Sequence, residues 1–218
     1  MERAPRMLPV SAVLFDMNDV LCRYDKATRV THLAQASGQD PALVEAAIWK
    51  AGFEDLGDSG AIDAEEYLRG FGERIGYALS VREWVEALRA ALIPLADTLA
   101  LAARVGHEAR IAVLTNNNLL LAREIDAVFP ELRPVFNDAI FVSAEFRACK
   151  PNPEVYRRCV ARLGVSPQAT LFVDDSPTNV AGAEQAKLQG HCYTSANHLA
   201  AALANSGLLR SRGKSDDL

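Results

Sequence analysis

Residues Ser11 to Asp25 read SAVLFDMNDVLCRYD. An apolar run from Ala12 to Phe15 stops abruptly at Asp16-Met17-Asn18-Asp19, and the chain turns apolar again at Val20 and Leu21. A buried strand that ends on a carboxylate can deliver it to the carboxyl edge of an α/β sheet, where such folds keep their ligand sites. A plain strand followed by a polar turn has the same appearance, so this stretch alone does not separate the two readings.

The rest of the chain supplies the context. From Ala96 onward it alternates. A helix to about Val105 precedes the strand RIAVLT, and a helix from Leu119 precedes AIFVS. A helix near Asn152-Pro153, the strand TLFVDD, a helix from about Thr178 and a short strand GHCYT complete the series. Repeated βα units predict a parallel sheet. Between the first strand and this series, Tyr24 to Leu95 reads as almost entirely helical, with helix starts at Asp40-Pro41, at Asp63 with Glu66 and at Ser80 with Glu83. The expected organisation is α/β, a Rossmann-like doubly wound parallel core in residues 1–23 and 96–210, with a helical-bundle cap inserted at 24–95. The small, charged end at 211–218 is expected to be disordered.

Bulk properties narrow the function. The chain has 218 residues, half of them hydrophobic, enough for a full core, and a net charge of -5. The acidic balance excludes nucleic acid or an anionic membrane as the main partner, since those require a basic footprint. No apolar stretch approaches the ~20 residues of a membrane helix. Cys22, Cys149, Cys159 and Cys192 lack CxxC or zinc-ligand spacing, and the start MERAPRM is unlike a secretory signal. These features lead to the expectation of a cytoplasmic protein with reduced thiols, monomeric or homodimeric, acting on a small molecule.

The later strands also end on polar residues. IAVLT stops at Thr115 and runs into Asn116-Asn117-Asn118, TLFVDD ends in Asp174-Asp175, and Lys150 stands in ACKPNP. Each alone is compatible with an ordinary turn or surface residue. In a parallel sheet, however, the strand ends meet at one edge, and the residues converge. Asp16, Asp174 and Asp175 would then place three carboxylates against the single ammonium of Lys150, an arrangement that needs a further cation. Oxygen ligands without a His or Cys cluster favour magnesium over zinc. The Thr115 hydroxyl, the backbone N–H of Asn116 and Lys150 would form a phosphate cradle opposite the metal. Asp16 could attack phosphorus and form an aspartyl phosphate.

VLFDMNDVL, VLTNNN, CKPNPEVY and LFVDDSPTN, in this order, resemble the motifs of the haloacid dehalogenase-like (HAD) hydrolase superfamily, and the helical insertion resembles its helical cap of subfamily I. The variants are most similar to small sugar-phosphate phosphatases and the N-terminal phosphatase domain of epoxide hydrolases. The resemblance implies that Asp16 is the nucleophile, that Thr115, Asn116 and Lys150 bind phosphate, and that Asp175 is a direct magnesium ligand. It further implies that the Asn18 backbone carbonyl ligates the metal. Asp174 would hold Lys150 or share the metal, and Asn179 would lie in the outer metal shell.

One position departs from the family. A second aspartate usually follows the nucleophile by two residues as general acid/base, and Asn18 stands there. An amide has no titratable proton. Asn18 reads either as natural, with Asp19, water or substrate supplying protons, or as a substitution that slows the enzyme. In the cap, AIWKAGFEDLGDSG offers Trp49, Phe53, Glu54 and Asp58 beside a Gly-rich turn, and the segment is expected near the substrate, although Trp49 and Phe53 also have the spacing of core residues on one helix face. The leading expectation is a magnesium-dependent phosphatase of a small phosphorylated metabolite. The alternatives are a metal-independent haloacid-type dehalogenase and a catalytically degenerate ligand-binding protein.

Overall fold

A computed structural model describes residues 8–209, so the tail at 211–218 lies outside the described residues. The strands, in chain order, are β1 (Ala12–Phe15), β2 (Cys22–Tyr24), β3 (Leu92–Pro94), β4 (Arg110–Thr115), β5 (Ile140–Val142), β6 (Thr170–Asp174) and β7 (Gln189–Cys192). The helices are α1 (Lys26–Ser37), α2 (Pro41–Glu45), α3 (Phe53–Asp58), α4 (Ala64–Arg74), α5 (Val81–Ala90), α6 (Ala96–Val105), α7 (Leu119–Val128), α8 (Arg133–Phe136), α9 (Pro153–Leu163), α10 (Pro177–Gln185) and α11 (Ala196–Asn205).

Five strands form one parallel sheet in the order β5-β4-β1-β6-β7. Every residue of β1 is buried, because helices cover both faces of its central position. Successive side chains of a strand point to opposite faces, and the core divides accordingly. Val13 and Phe15 pack with Val113, Leu171 and Val173 in one apolar cluster that takes in Leu99 of α6, Leu121 of α7 and Leu199 of α11. Leu14 packs with Ala112, Leu114 and Phe172 in a second, closed by Val155 and Tyr156 of α9 and Ala183 of α10. The strand order reverses direction at β1, which puts the ligand crevice of such a sheet at the carboxyl ends of β1, β4 and β6.

Between β2 and β3 the chain builds α1 to α5, with a π-helical turn at Ala46–Lys50. The expected helix starts are present. Asp40 accepts from Ala42 N ahead of Pro41, and Asp63 with Glu66 and Ser80 with Glu83 form reciprocal capping boxes. Short strands stand at both ends of this largely helical segment. The two passages between cap and core pair as an antiparallel ribbon, with Cys22 opposite Pro94 and Tyr24 opposite Leu92. Three-residue strands are too short to show a period of two, and their pairing depends on chain segments far apart in sequence. The first apolar cluster runs on into the cap through Leu33, Tyr67 and Trp84. Among the described residues, no helix is long and apolar enough to cross a membrane.

Candidate active site

Asp16 follows β1 directly, Thr115 ends β4 and Asp174 ends β6, so strand geometry alone brings them to one edge. Lys150 arrives from the loop before α9 and lies between two carboxylates, its Nζ 2.6 Å from Asp16 Oδ1 and 2.7 Å from Asp174 Oδ2. All three side chains are buried. Burial works against the charge on Lys150, but Asp16 and Asp174 outweigh it and hold its pKa above the ordinary lysine value. Asp16 is pushed up to about 6 by burial and by Asp174, with Lys150 acting in the opposite direction.

The two acids of Asp174-Asp175 have different surroundings. Asp174 also accepts from Ser176 N at 2.8 Å and from Asn179 Nδ2 at 3.1 Å on each oxygen, so its lone pairs are committed to protein donors. Asp175 is exposed, and its pKa is raised by partial desolvation and by the charges of Asp174 and Asp19. One carboxylate oxygen from each of Asp16, Asp174 and Asp175 lies within 4.8 Å of the others. Oxygen-only donors at this separation, carrying more negative charge than Lys150 neutralises, fit a hard divalent cation such as magnesium. Of the three acids, Asp16 and Asp175 have the uncommitted oxygens.

The residues expected to form a phosphate cradle have different partners. Thr115 Oγ1 accepts from Asn117 Nδ2 at 3.0 Å, which leaves its own hydroxyl proton for a ligand. Asn116 spends its side chain on Lys150, donating to Lys150 O at 2.9 Å and accepting from Lys150 N at 2.8 Å. Its amide therefore fixes where Lys150 stands, and the backbone N–H is the donor left to it. Asn179 is held from behind by Tyr156, whose hydroxyl donates to Asn179 O at 2.7 Å.

Asn18 lies in the tight turn after Asp16, bridged to Cys22. Asp19 adopts a left-handed conformation with φ of 58°, and its Oδ1 accepts from Tyr24 N at 3.4 Å. Asp19 is thus turned toward its own loop.

The cap residues separate. Phe53 is buried, stacked on Tyr67 with centroids 5.4 Å apart, and belongs to the interior of the cap; the expected substrate contact is corrected for this residue. Trp49 is half-buried against Phe71, with the Arg29 guanidinium 5.3 Å above its ring. Glu54 pairs with the buried Arg29 at 3.2 Å and accepts from Tyr67 OH at 2.9 Å. The sequence reading missed Ser143, whose hydroxyl accepts from Asn117 N at 3.0 Å and donates to Asp58 O at 2.7 Å, tying the cap to the cradle. A serine after a strand carries no local signal of that role.

Residues 10–187 match the family described as haloacid dehalogenase-like hydrolase. A flavin mononucleotide hydrolase of Arabidopsis thaliana is 38% identical over 73 residues, a match spanning 31% of this chain and 30% of that protein. Among solved structures, a HAD-like family hydrolase of Porphyromonas gingivalis is similar with a TM-score of 0.74 at 21% identity, covering 91% of this chain and 98% of the other. A HAD family enzyme of Bacteroides thetaiotaomicron, in complex with magnesium and inorganic phosphate, is similar with a TM-score of 0.72 at 20% identity, covering 85% and 94%. An L-2-haloacid dehalogenase of Xanthobacter autotrophicus is similar with a TM-score of 0.60 at 19% identity, covering 92% and 85%.

Proposed function

The chain belongs to the haloacid dehalogenase-like hydrolases, and on that footing we propose that it is a magnesium-dependent phosphatase of a small phosphorylated metabolite, a sugar phosphate or similar monoester, working through an aspartyl phosphate on Asp16. The observation that carries this reading is the buried Asp16–Lys150–Asp174 clamp with an Asp175 oxygen within 4.8 Å of the other two carboxylates. Without a cation, the same acids would repel an anionic substrate of either the phosphate or the haloacid class.

Asp16 and Asp175 would hold the metal, with the Asn18 carbonyl beside them and Asp174 and Asn179 behind, and the metal would supply positive charge to the phosphoryl oxygens. Thr115 donates its hydroxyl, Asn116 its backbone N–H and Lys150 its ammonium to the same group, which spreads the charge of phosphoryl transfer. An Asp16 oxygen attacks phosphorus, and the phosphorus–oxygen bond to the alcohol breaks with its electrons going to the alcohol oxygen. That oxygen takes its proton from water or from the substrate, because Asn18 has none to give. Water then attacks the phosphorus of the aspartyl phosphate, and inorganic phosphate and the free Asp16 carboxylate are released.

The test is hydrolysis of sugar and aryl phosphates with and without magnesium, followed by acid quench to trap the phosphoenzyme. The expected result is magnesium-dependent turnover, lost in Asp16→Asn, and an acyl phosphate label on Asp16. Full activity in chelator, label on another residue, or chloride release from a 2-haloacid in chelator would overturn the proposal.

A further inference from the structure

Three asparagines follow Thr115, and their side chains go to three different places. Asn116 is spent on the backbone of Lys150, and Asn118 Oδ1 caps α7 by accepting from Leu121 N at 3.0 Å. Asn117 turns back on the strand end, its Nδ2 donating to Thr115 Oγ1 at 3.0 Å. A threonine hydroxyl has one proton and two lone pairs and can rotate to offer either. With a lone pair engaged by Asn117, the proton of this buried hydroxyl is turned away from the amide, and no protein acceptor takes it among the described residues. A hydroxyl fixed in this way is a ready donor to an anion and needs no rotation when the anion arrives.

Asn117 is itself held through its backbone. Its N–H donates to Ser143 Oγ at 3.0 Å, and its carbonyl accepts from Ala144 N at 3.2 Å. Ser143 is fully buried, and its single hydroxyl proton has two acceptors in reach, Asp58 O at 2.7 Å and Asn117 O at 3.2 Å. The shorter contact is the one to Asp58, and it aligns the Ser143 lone pairs with Asn117 N. Four groups are thereby linked in series, from Asp58 O through Ser143 and Asn117 to Thr115, and hydrogen bonds in series polarise one another. The turn that supplies Asp58 O is pressed onto the next residue of the core, for Gly60 lies so close to the carbonyl of Ala144 that a Cβ would overlap it.

We infer that Asn117 is the positioning residue for Thr115, fixing its hydroxyl as a donor to the phosphoryl group, and that Ser143 acts one step behind by holding the Asn117 backbone. The inference rests on the phosphatase reading and adds to it two residues that act only through Thr115. If Asn117 and Ser143 merely shaped the loop after β4, their removal would carry the same penalty with or without the Thr115 hydroxyl. The two roles therefore differ in one measurable quantity, the coupling of each residue to Thr115.

The experiment is a double-mutant cycle read by calorimetric titration of inorganic phosphate in the presence of magnesium, and by kcat/KM for p-nitrophenyl phosphate. Asn117→Ala should weaken phosphate binding by about 5- to 30-fold. In a Thr115→Val background the same change should cost less than about twofold, because the hydroxyl it acts through is gone. Thr115→Ser, which keeps a hydroxyl, should keep the sensitivity to Asn117→Ala. Ser143→Ala should give a smaller loss that also vanishes in Thr115→Val. An unchanged affinity in Asn117→Ala, or equal losses in the threonine and valine backgrounds, overturns the inference. Should Asn117→Ala fail to fold, the Ser143→Ala cycle decides by the same comparison. An unmodified protein that neither binds inorganic phosphate nor hydrolyses the ester overturns the phosphatase reading and the inference with it, whereas phosphate binding without coupling overturns the inference alone.

Discussion

Cys22 Sγ stands 3.7 Å from Asn18 Oδ1 and 3.5 Å from Met17 O. Asn18 therefore has a thiol as its neighbour, and burial, with the charges of Asp16, Asp19 and Glu131, raises that thiol far above its ordinary pKa. Its proton stays on sulfur at any working pH. Neither the amide nor the thiol can exchange a proton with substrate, and Asp19 is turned back onto Tyr24 N.

Restoring the acid with Asn18→Asp should raise turnover by about 10² to 10⁴, the worth of a positioned general acid/base. The gain in the phosphorylation step should be larger for sugar phosphates, whose alkoxides need a proton on departure, than for an aryl phosphate. Dephosphorylation should accelerate for both, because activating water is the second duty of the carboxylate. Single-turnover kinetics on the two forms separates the steps. Equal rates on a sugar phosphate would show that proton transfer is handled elsewhere.

Magnesium should stabilise the protein as well as activate it, since binding to the folded state alone contributes about 2.7 kcal/mol at a hundredfold excess over Kd. Asp175→Asn should weaken magnesium binding, measured calorimetrically, while Asp174→Asn should chiefly lower the melting temperature, because Asp174 holds Lys150, Ser176 N and Asn179. A melting temperature indifferent to both magnesium and chelator would contradict the metal assignment.

Lys150→Met should destabilise the metal-free protein by about 3–5 kcal/mol at neutral pH, because it leaves the buried Asp16 and Asp174 facing each other without a cation. Asp16 already holds its proton up to about pH 6, so denaturant titrations should show the penalty shrinking as pH falls from 7 to 5. A penalty independent of pH would mean that the clamp is not electrostatic.

Asp58 sets a slope in the stability profile. Its carboxyl titrates near 3.8 when unfolded and near 8 when folded, so between these values the native state holds one proton more than the unfolded state. Stability should therefore decline as pH rises from about 4 to 8. Asp58→Asn should flatten that part of the curve and raise the melting temperature at pH 8 and above. An unaltered profile would place the carboxyl in solvent.

The convergence of Asp16, Lys150, Asp174 and Asp175 was legible in the sequence because its information is local. Each of β1, β4 and β6 is a short, mostly apolar run with a polar residue at its end or directly after it, and a parallel sheet needs no further instruction to gather Asp16, Thr115 and Asp174 at one edge. What stayed hidden depends on segments brought together from afar. Phe53 could have faced the substrate or the cap interior, and only the packing of α4 against α3 places it on Tyr67. The role of Ser143 exists because the α3–α4 turn lands on it, and the pairing of Cys22 with Pro94 because the chain leaves and re-enters the core at one point.

That shared doorway bears on how such a protein can diversify. Tyr24 and Leu92 are already neighbours across the ribbon, so deleting everything between them would require only a tight reverse turn, and none of the five sheet strands would change register. The chain path of the core is indifferent to what is spliced in at this point, whereas the apolar cluster shared by core and cap means that any replacement must bring a greasy underside of its own. The whole helical insertion is therefore exchangeable as one unit, while the strand ends that gather Asp16, Thr115 and Asp174 stay where they are.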